Sequence, residues 1–80
     1  MKKIAILGAG RSSSSLIRYM LHQAKQNNWL IRVCDMDVKM AESKIANHEL
    51  AVAVQFDVFN KDQVKQEVSQ ADLIVSMLPA

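Results

Sequence analysis

Two kinds of residue in this sequence can do chemistry together: a pair of glycines one residue apart, and an aspartate well downstream. Gly8-Ala9-Gly10-Arg11-Ser12-Ser13 carries the first two positions of the G-x-G-x-x-G pattern and puts Ser13 at the third. In that pattern the first glycine makes a strand-to-helix turn. The second lets the backbone approach a pyrophosphate, and the third lets helix and strand pack closely. Ser13 weakens only the third role, because its extra methylene widens the helix-to-sheet gap slightly and its hydroxyl stays close to the phosphate. The helix that starts here aims the N–H groups of Arg11, Ser12 and Ser13, and a partial positive charge, at a bound anion. For the Arg11 side chain a phosphate contact and a solvated helix start both remain open. Ser14 and Ser15 read as small residues tolerated in a first turn.

The acid is Asp35, which follows Gly10 by 25 residues. An aspartate there accepts hydrogen bonds from the adenosine ribose hydroxyls and repels a 2′-phosphate, and the next residue is Met36 rather than an arginine. The expected cofactor is therefore NAD, in preference to NADP. Met36 borders the adenine in this reading, with a surface methionine that has no role as the alternative. Asp37 competes with Asp35 for the ribose, but helix capping accounts for it without a ligand. Asp57 offers a carboxylate to the adenine amine while Val58 packs on the ring, with a turn-forming aspartate as the alternative. Leu78 and Pro79 lie nearer the nicotinamide ribose.

These residues are useful only if the elements between them bring them to one edge. Lys3 to Leu7 is a short aliphatic run stopped by a glycine, which predicts a buried strand. From Ser12 to about Gln26, Leu16, Ile17, Met20, Leu21 and Ala24 fall on one helical face. A second strand is expected over Leu30–Cys34, then a helix capped by Asp37 and running to about Asn47 with Val38, Ala41 and Ile45 inward. A third strand spans Ala51–Phe56. Asn60 with Gln63 three residues on is a capping-box signature for a helix through Ser69 that buries Val64 and Val68. Asp72 to Leu78 is a nearly continuous apolar strand of the kind buried on both faces, and it runs into Pro79.

The order βαβαβαβ, with right-handed crossovers, predicts an α/β fold: a Rossmann-type half-domain with a parallel sheet in the order 3-2-1-4. Residues 1–80 then form the N-terminal part of a dinucleotide-binding domain within a longer protein. Strand 73–78 is left at a sheet edge that invites self-association.

Composition excludes several other classes. Eighty residues make one small domain that buries about 60–65% of its unfolded surface. With 50% hydrophobic and 22% charged residues, two glycines and one proline, the chain is expected to fold. The net charge of +2 comes from scattered lysines and arginines, with no basic stripe or aromatic platform, so no nucleic-acid partner is expected. The apolar runs fall far short of the roughly 20 residues that cross a bilayer. Gly8, Gly10, Arg11 and the serines interrupt the first apolar run before it reaches signal-peptide length, which reads as a cytoplasmic N-terminus. Cys34 is the single cysteine, and His22 and His48 lack neighbours at metal-ligand spacing, so no disulfide or metal site is expected. Cys34 and Trp29 read as packing residues and both histidines as surface groups.

Four segments taken together carry a resemblance: Ile6 to Arg11, Val33 to Asp37, Val54 to Val58 and Ala71 to Pro79. They resemble the N-terminal domain of the saccharopine dehydrogenase family, most tellingly in the aspartate after strand three and the Ser-x-Leu-Pro after strand four. Ser13 and the serine-rich helix start are the departure. The resemblance implies an NAD(P)-dependent oxidoreductase that moves hydride at a carbon–nitrogen bond of an amino-acid-derived small molecule. Nothing in these residues supplies the proton-transfer group, so no catalytic residue is assigned. Two other readings remain open at this stage. One is a nucleotide-sensing regulatory domain of a potassium transport system, which uses a similar glycine turn and acid without chemistry. The other is a scaffold with a degenerate site.

Overall fold

The computed structural model describes residues 2–8, 14–46, 48–57 and 59–76. Seven elements follow in the order β1 (Lys2–Leu7), α1 (Ser14–Asn27), β2 (Trp29–Asp35), α2 (Val38–Ile45), β3 (Ala51–Gln55), α3 (Lys61–Gln70) and β4 (Leu73–Ser76). The four strands form one parallel sheet in the order β3-β2-β1-β4, as the sequence pattern predicts. Parallel registers of Leu7 with Cys34, Leu7 with Ser76, and Asp35 with Gln55 align the carboxyl ends of all four strands.

Side chains alternate across each strand and so build two different faces. On one face Ile4, Ile6, Ile31 and Val33 pack with Ile17, Met20, Leu21 and Ala24 of α1 and with Ala41 and Ile45 of α2. This is the helical face expected for α1, and Trp29 and Leu16 complete it as half-buried neighbours. On the other face Leu7, Cys34 and Phe56 form a smaller cluster with Val54, Val64 and Ile74.

Local hydrogen bonding sets the ends of the elements. Asn28, at φ 59°, turns the chain from α1 into β2 in the left-handed region that asparagine tolerates better than most residues. Asp37 caps α2 by accepting from the N–H groups of Lys39 and Met40. That helix stops short of the expected Asn47. Ala46 turns left-handed at φ 48° while its N–H still bonds the Glu42 carbonyl, and the His48 N–H closes on Ile45. At the opposite edge of the sheet Asp72 joins β4 to β1. Its carboxylate accepts the Lys3 N–H at 2.8 Å and its own N–H bonds the Lys3 carbonyl at 2.7 Å.

Two expectations are corrected. Val64 is half-buried, but Val68 is 49% exposed, and the buried residue of α3 is Glu67. The cause is Arg32, which β2 presents to the same face. A guanidinium under a helix needs an anion, and α3 is turned so that Glu67 supplies it. The second correction concerns the last strand. Leu73 is 51% exposed and Ile74 and Val75 are only half-buried, because β4 has a neighbouring strand on one side only in the described sheet. Met77 to Ala80 lie outside the described residues.

Candidate functional site

The carboxyl edge gathers the described members of the expected site. Gly8 follows β1 at φ 100°, a left-handed conformation that strains any residue with a Cβ. It is buried, and its N–H donates to the Cys34 carbonyl at 2.7 Å, extending the β1–β2 ladder by one step. Gly8 thus lies beside Asp35, the last residue of β2. One carboxylate oxygen of Asp35 accepts the Asp37 N–H at 2.9 Å, which fixes the side chain at the strand end. Met36 comes next and is 58% exposed. Gly10, Arg11, Ser12, Ser13, Val58, Leu78 and Pro79, the remaining expected cofactor contacts, lie outside the described residues.

Across the sheet from Asp35, the chain leaves β3 through a loop held by side chains. The Phe56 N–H continues the ladder to the Asp35 carbonyl at 2.9 Å. Asp57 then makes a turn, its Oδ1 accepting the Phe59 N–H at 2.9 Å and its carbonyl the Asn60 N–H at 3.0 Å. The turn-forming role weighed for Asp57 is therefore present. Asn60 caps α3 through the N–H groups of Asp62 and Gln63, but the reciprocal half of the capping box is not made. The Asn60 N–H is already bonded to Asp57. The Gln63 amide instead reaches back to the strand end, accepting from the Asp57 N–H at 2.9 Å and donating to the Gln55 carbonyl at 3.1 Å.

Behind this edge lies a pair that the sequence reading missed. Arg32 Nε donates to Glu67 Oε2 at 2.7 Å and Nη2 to Oε1 at 3.2 Å, a two-point contact across 35 residues of sequence. The hydrogen bond to Glu67 holds the Arg32 guanidinium above its ordinary pKa. Cys34, two residues along the strand, is pushed up to about 12, first by burial and then by the negative charge of Glu67. It is a neutral packing thiol rather than a nucleophile. A charged residue inside the apolar run Leu30–Cys34 was the signal available in the sequence. It demanded a partner without saying which acid would provide it.

A groove of about 590 Å³ between α1 and α2 is lined by Arg18, His22, Lys44 and His48, with Leu21 and Ile45 as apolar wall. The Lys44 ammonium donates to the Ser14 hydroxyl across its mouth. None of the strand ends of the carboxyl edge contributes to it. Among the described residues no cluster of His, Cys, Asp or Glu could hold a metal, and no helix is long and apolar enough to cross a membrane.

The family model described as "Saccharopine dehydrogenase NADP binding domain" matches residues 4–80, nearly the whole chain. This chain belongs to that family. The saccharopine dehydrogenase resemblance read from the motifs is thereby established. The family's name points to NADP, against the NAD preference expected from Asp35. Among solved structures the fold is similar to an apo histidine-tagged saccharopine dehydrogenase (L-Glu forming) from Saccharomyces cerevisiae. The TM-score is 0.81 at 15% identity, with 99% of this chain covered. The chain spans 17% of the length of that enzyme. No curated protein matches it by sequence.

Proposed function

We propose that this chain is the adenosine-side, nicotinamide-dinucleotide-binding portion of a saccharopine dehydrogenase-like oxidoreductase. The observation that carries the reading is the juxtaposition at the carboxyl edge: Gly8 in a glycine-only conformation at the end of β1, beside Asp35 at the end of β2. Open α/β sheets bind ligands at this edge. Family membership favours this reading over a transport regulator or an inert scaffold.

The dinucleotide would supply hydride chemistry when bound. The part of this chain is to hold it. The turn that starts at Gly8 receives the pyrophosphate, with the backbone of Gly10, Arg11, Ser12 and Ser13 as donors, and Asp35 takes the ribose hydroxyls. Met36, Asp57 and Val58 are the proposed adenine contacts, and Leu78 and Pro79 approach the nicotinamide ribose. The substrate is a small amino-acid derivative with a reducible carbon–nitrogen bond, and no residue of this chain is assigned to proton transfer.

The choice of dinucleotide turns on Asp35. Its carboxylate opposes a 2′-phosphate, whereas the family's name favours one, and Lys39 in the first turn of α2 is an exposed cation near enough in sequence to serve it. We retain NAD as the preferred cofactor. Calorimetric titration of wild type and Asp35→Ala with both dinucleotides tests this. The expected result is tighter NAD binding by wild type and a loss of roughly tenfold or more for NAD in the variant, the size of a hydrogen bond to a charged group. Tighter NADP binding by wild type would overturn the role of Asp35 in selecting NAD. The exposed edge of β4, within the segment 73–78, is the proposed surface of self-association, and a monomer across the concentration range in sedimentation velocity would refute it.

A further inference from the structure

Seven large apolar side chains are exposed among the described residues, and Phe59 is the most exposed of them at 84%. A phenyl ring in water is unfavourable, and a loop free to move would fold it away. This loop is not free. The Phe59 N–H is bonded to the Asp57 carboxylate, the Asn60 N–H to the Asp57 carbonyl, and the Gln63 amide bridges Asp57 to the Gln55 carbonyl. The N–H groups of Phe59 and Asn60 are both tied to Asp57 beyond the end of β3, while the ring itself is left uncovered.

Its place in the fold gives the reason. β3 is the strand next to β2, and the ladder between them continues to the bond from Phe56 to Asp35. Phe59 follows the end of β3 and Met36 follows Asp35 at the end of β2, so two exposed apolar side chains stand on adjacent loops of the same edge. A nucleoside whose ribose sits on Asp35 has its base one glycosidic bond away, in the space those two loops border. Aromatic rings stack on purine faces irrespective of the hydrogen-bonding pattern of the base, and methionine packs readily against aromatic surfaces.

We propose that Phe59 is the stacking platform for the adenine ring of the dinucleotide, with Met36 as the opposing wall. Gln63 acts as a positioning residue that fixes the loop through Asp57. The inference rests on the dinucleotide reading above. It also changes the part given to Asp57, whose Oδ1 is engaged in presenting Phe59.

The test is binding of NAD and NADP to wild type, Phe59→Ala and Phe59→Tyr. It is joined by a search for nuclear Overhauser effects between the Phe59 ring protons and adenine H2 and H8 in the wild-type complex. Phe59→Ala should weaken both dinucleotides about tenfold, within the range measured for base–aromatic stacking. Phe59→Tyr should restore binding, and the melting temperature of each variant should match wild type, because the ring has no packing to lose. Unchanged affinity in Phe59→Ala, or bound dinucleotide with no ring-to-adenine effect, overturns the platform while leaving the dinucleotide reading standing. If wild type binds neither dinucleotide, the dinucleotide reading itself fails.

Discussion

The two faces of the sheet are built on different principles. The buried core under α1 and α2 is apolar throughout, with Ile4, Ile6, Ile31 and Val33 meeting two helices. The face under α3 has one helix, a three-residue buried cluster and a two-point ion pair between Arg32 and Glu67. The first face draws its stability from apolar area removed from water, which is non-directional and tolerant of small shifts. The second depends on one geometry, because a guanidinium and a carboxylate withdrawn from water must meet each other to offset their desolvation. Arg32 and Glu67 therefore set the rotation of α3, and through Asn60 and Gln63 at its start they help hold the loop that ends at the candidate site.

Adjacent residues of β1 allow the comparison to be broken one face at a time. Ile6 is fully buried against α1, and Leu7 points the other way toward Cys34 and Phe56. Ile6→Ala should cost about 3–4 kcal/mol and Leu7→Ala roughly 2–3 kcal/mol in urea unfolding, the first site having less room to collapse. Equal losses would mean that the two faces are equally packed. The ion pair comes next in size. Glu67→Ala leaves Arg32 without its partner and should cost about 2–3 kcal/mol. That is below the usual range for a buried pair, since the Arg32 side chain keeps 27% of its surface in water. The double variant Arg32→Met with Glu67→Leu should recover most of that loss. If it does not, α3 is positioned by something other than the pair.

A smaller, pH-dependent effect separates the faces further. The Cys34 thiol ionises near 12 when folded and near its ordinary 9.0 when exposed. Below pH 9 both states hold the proton and stability is unaffected. Between 9 and 12 the unfolded chain loses the proton first, so stability falls as pH rises, by up to about 1.4 kcal/mol per pH unit. Urea midpoints measured across pH 8–11 should fall in wild type and fall less steeply in Cys34→Ala. Parallel curves would show that the thiol is not shielded.

How much of this was legible in the sequence follows the same division. Strand order, the inward face of α1 and the Asp37 cap could all be read, because periodicity, β-branched runs and capping are local signals. The pairing of Gly8 with Asp35 followed from topology, since parallel strands carry their ends to one edge. The inward face of α3 could not be read from Val64 and Val68, because the choice between valine and glutamate was made by Arg32 on a strand 35 residues away. Gln63 was misassigned for a related reason. Its spacing from Asn60 fits a capping box, but a competing acceptor, the Asp57 carbonyl, had already taken the Asn60 N–H. Phe59 carried no signal at all, as exposure is a property of the folded chain.

The smallest expected effect sharpens the comparison most. Val68 lies on α3 one residue beyond Glu67 and is 49% exposed, whereas an aliphatic α/β domain would bury a valine there. The last turn of α3 contains no basic residue, so Val68→Lys places a cation near the negative end of the helix at little packing cost. The expected change in urea unfolding is within about 0.5 kcal/mol of wild type, with a small gain as the favoured sign. A loss above about 1 kcal/mol would mean that this side of α3 is covered in solution. Repeating the measurement at several protein concentrations identifies the cover. A loss that grows with concentration places a second copy of the chain over α3, which would extend the proposed self-association beyond the β4 edge to the face that the ion pair holds in place.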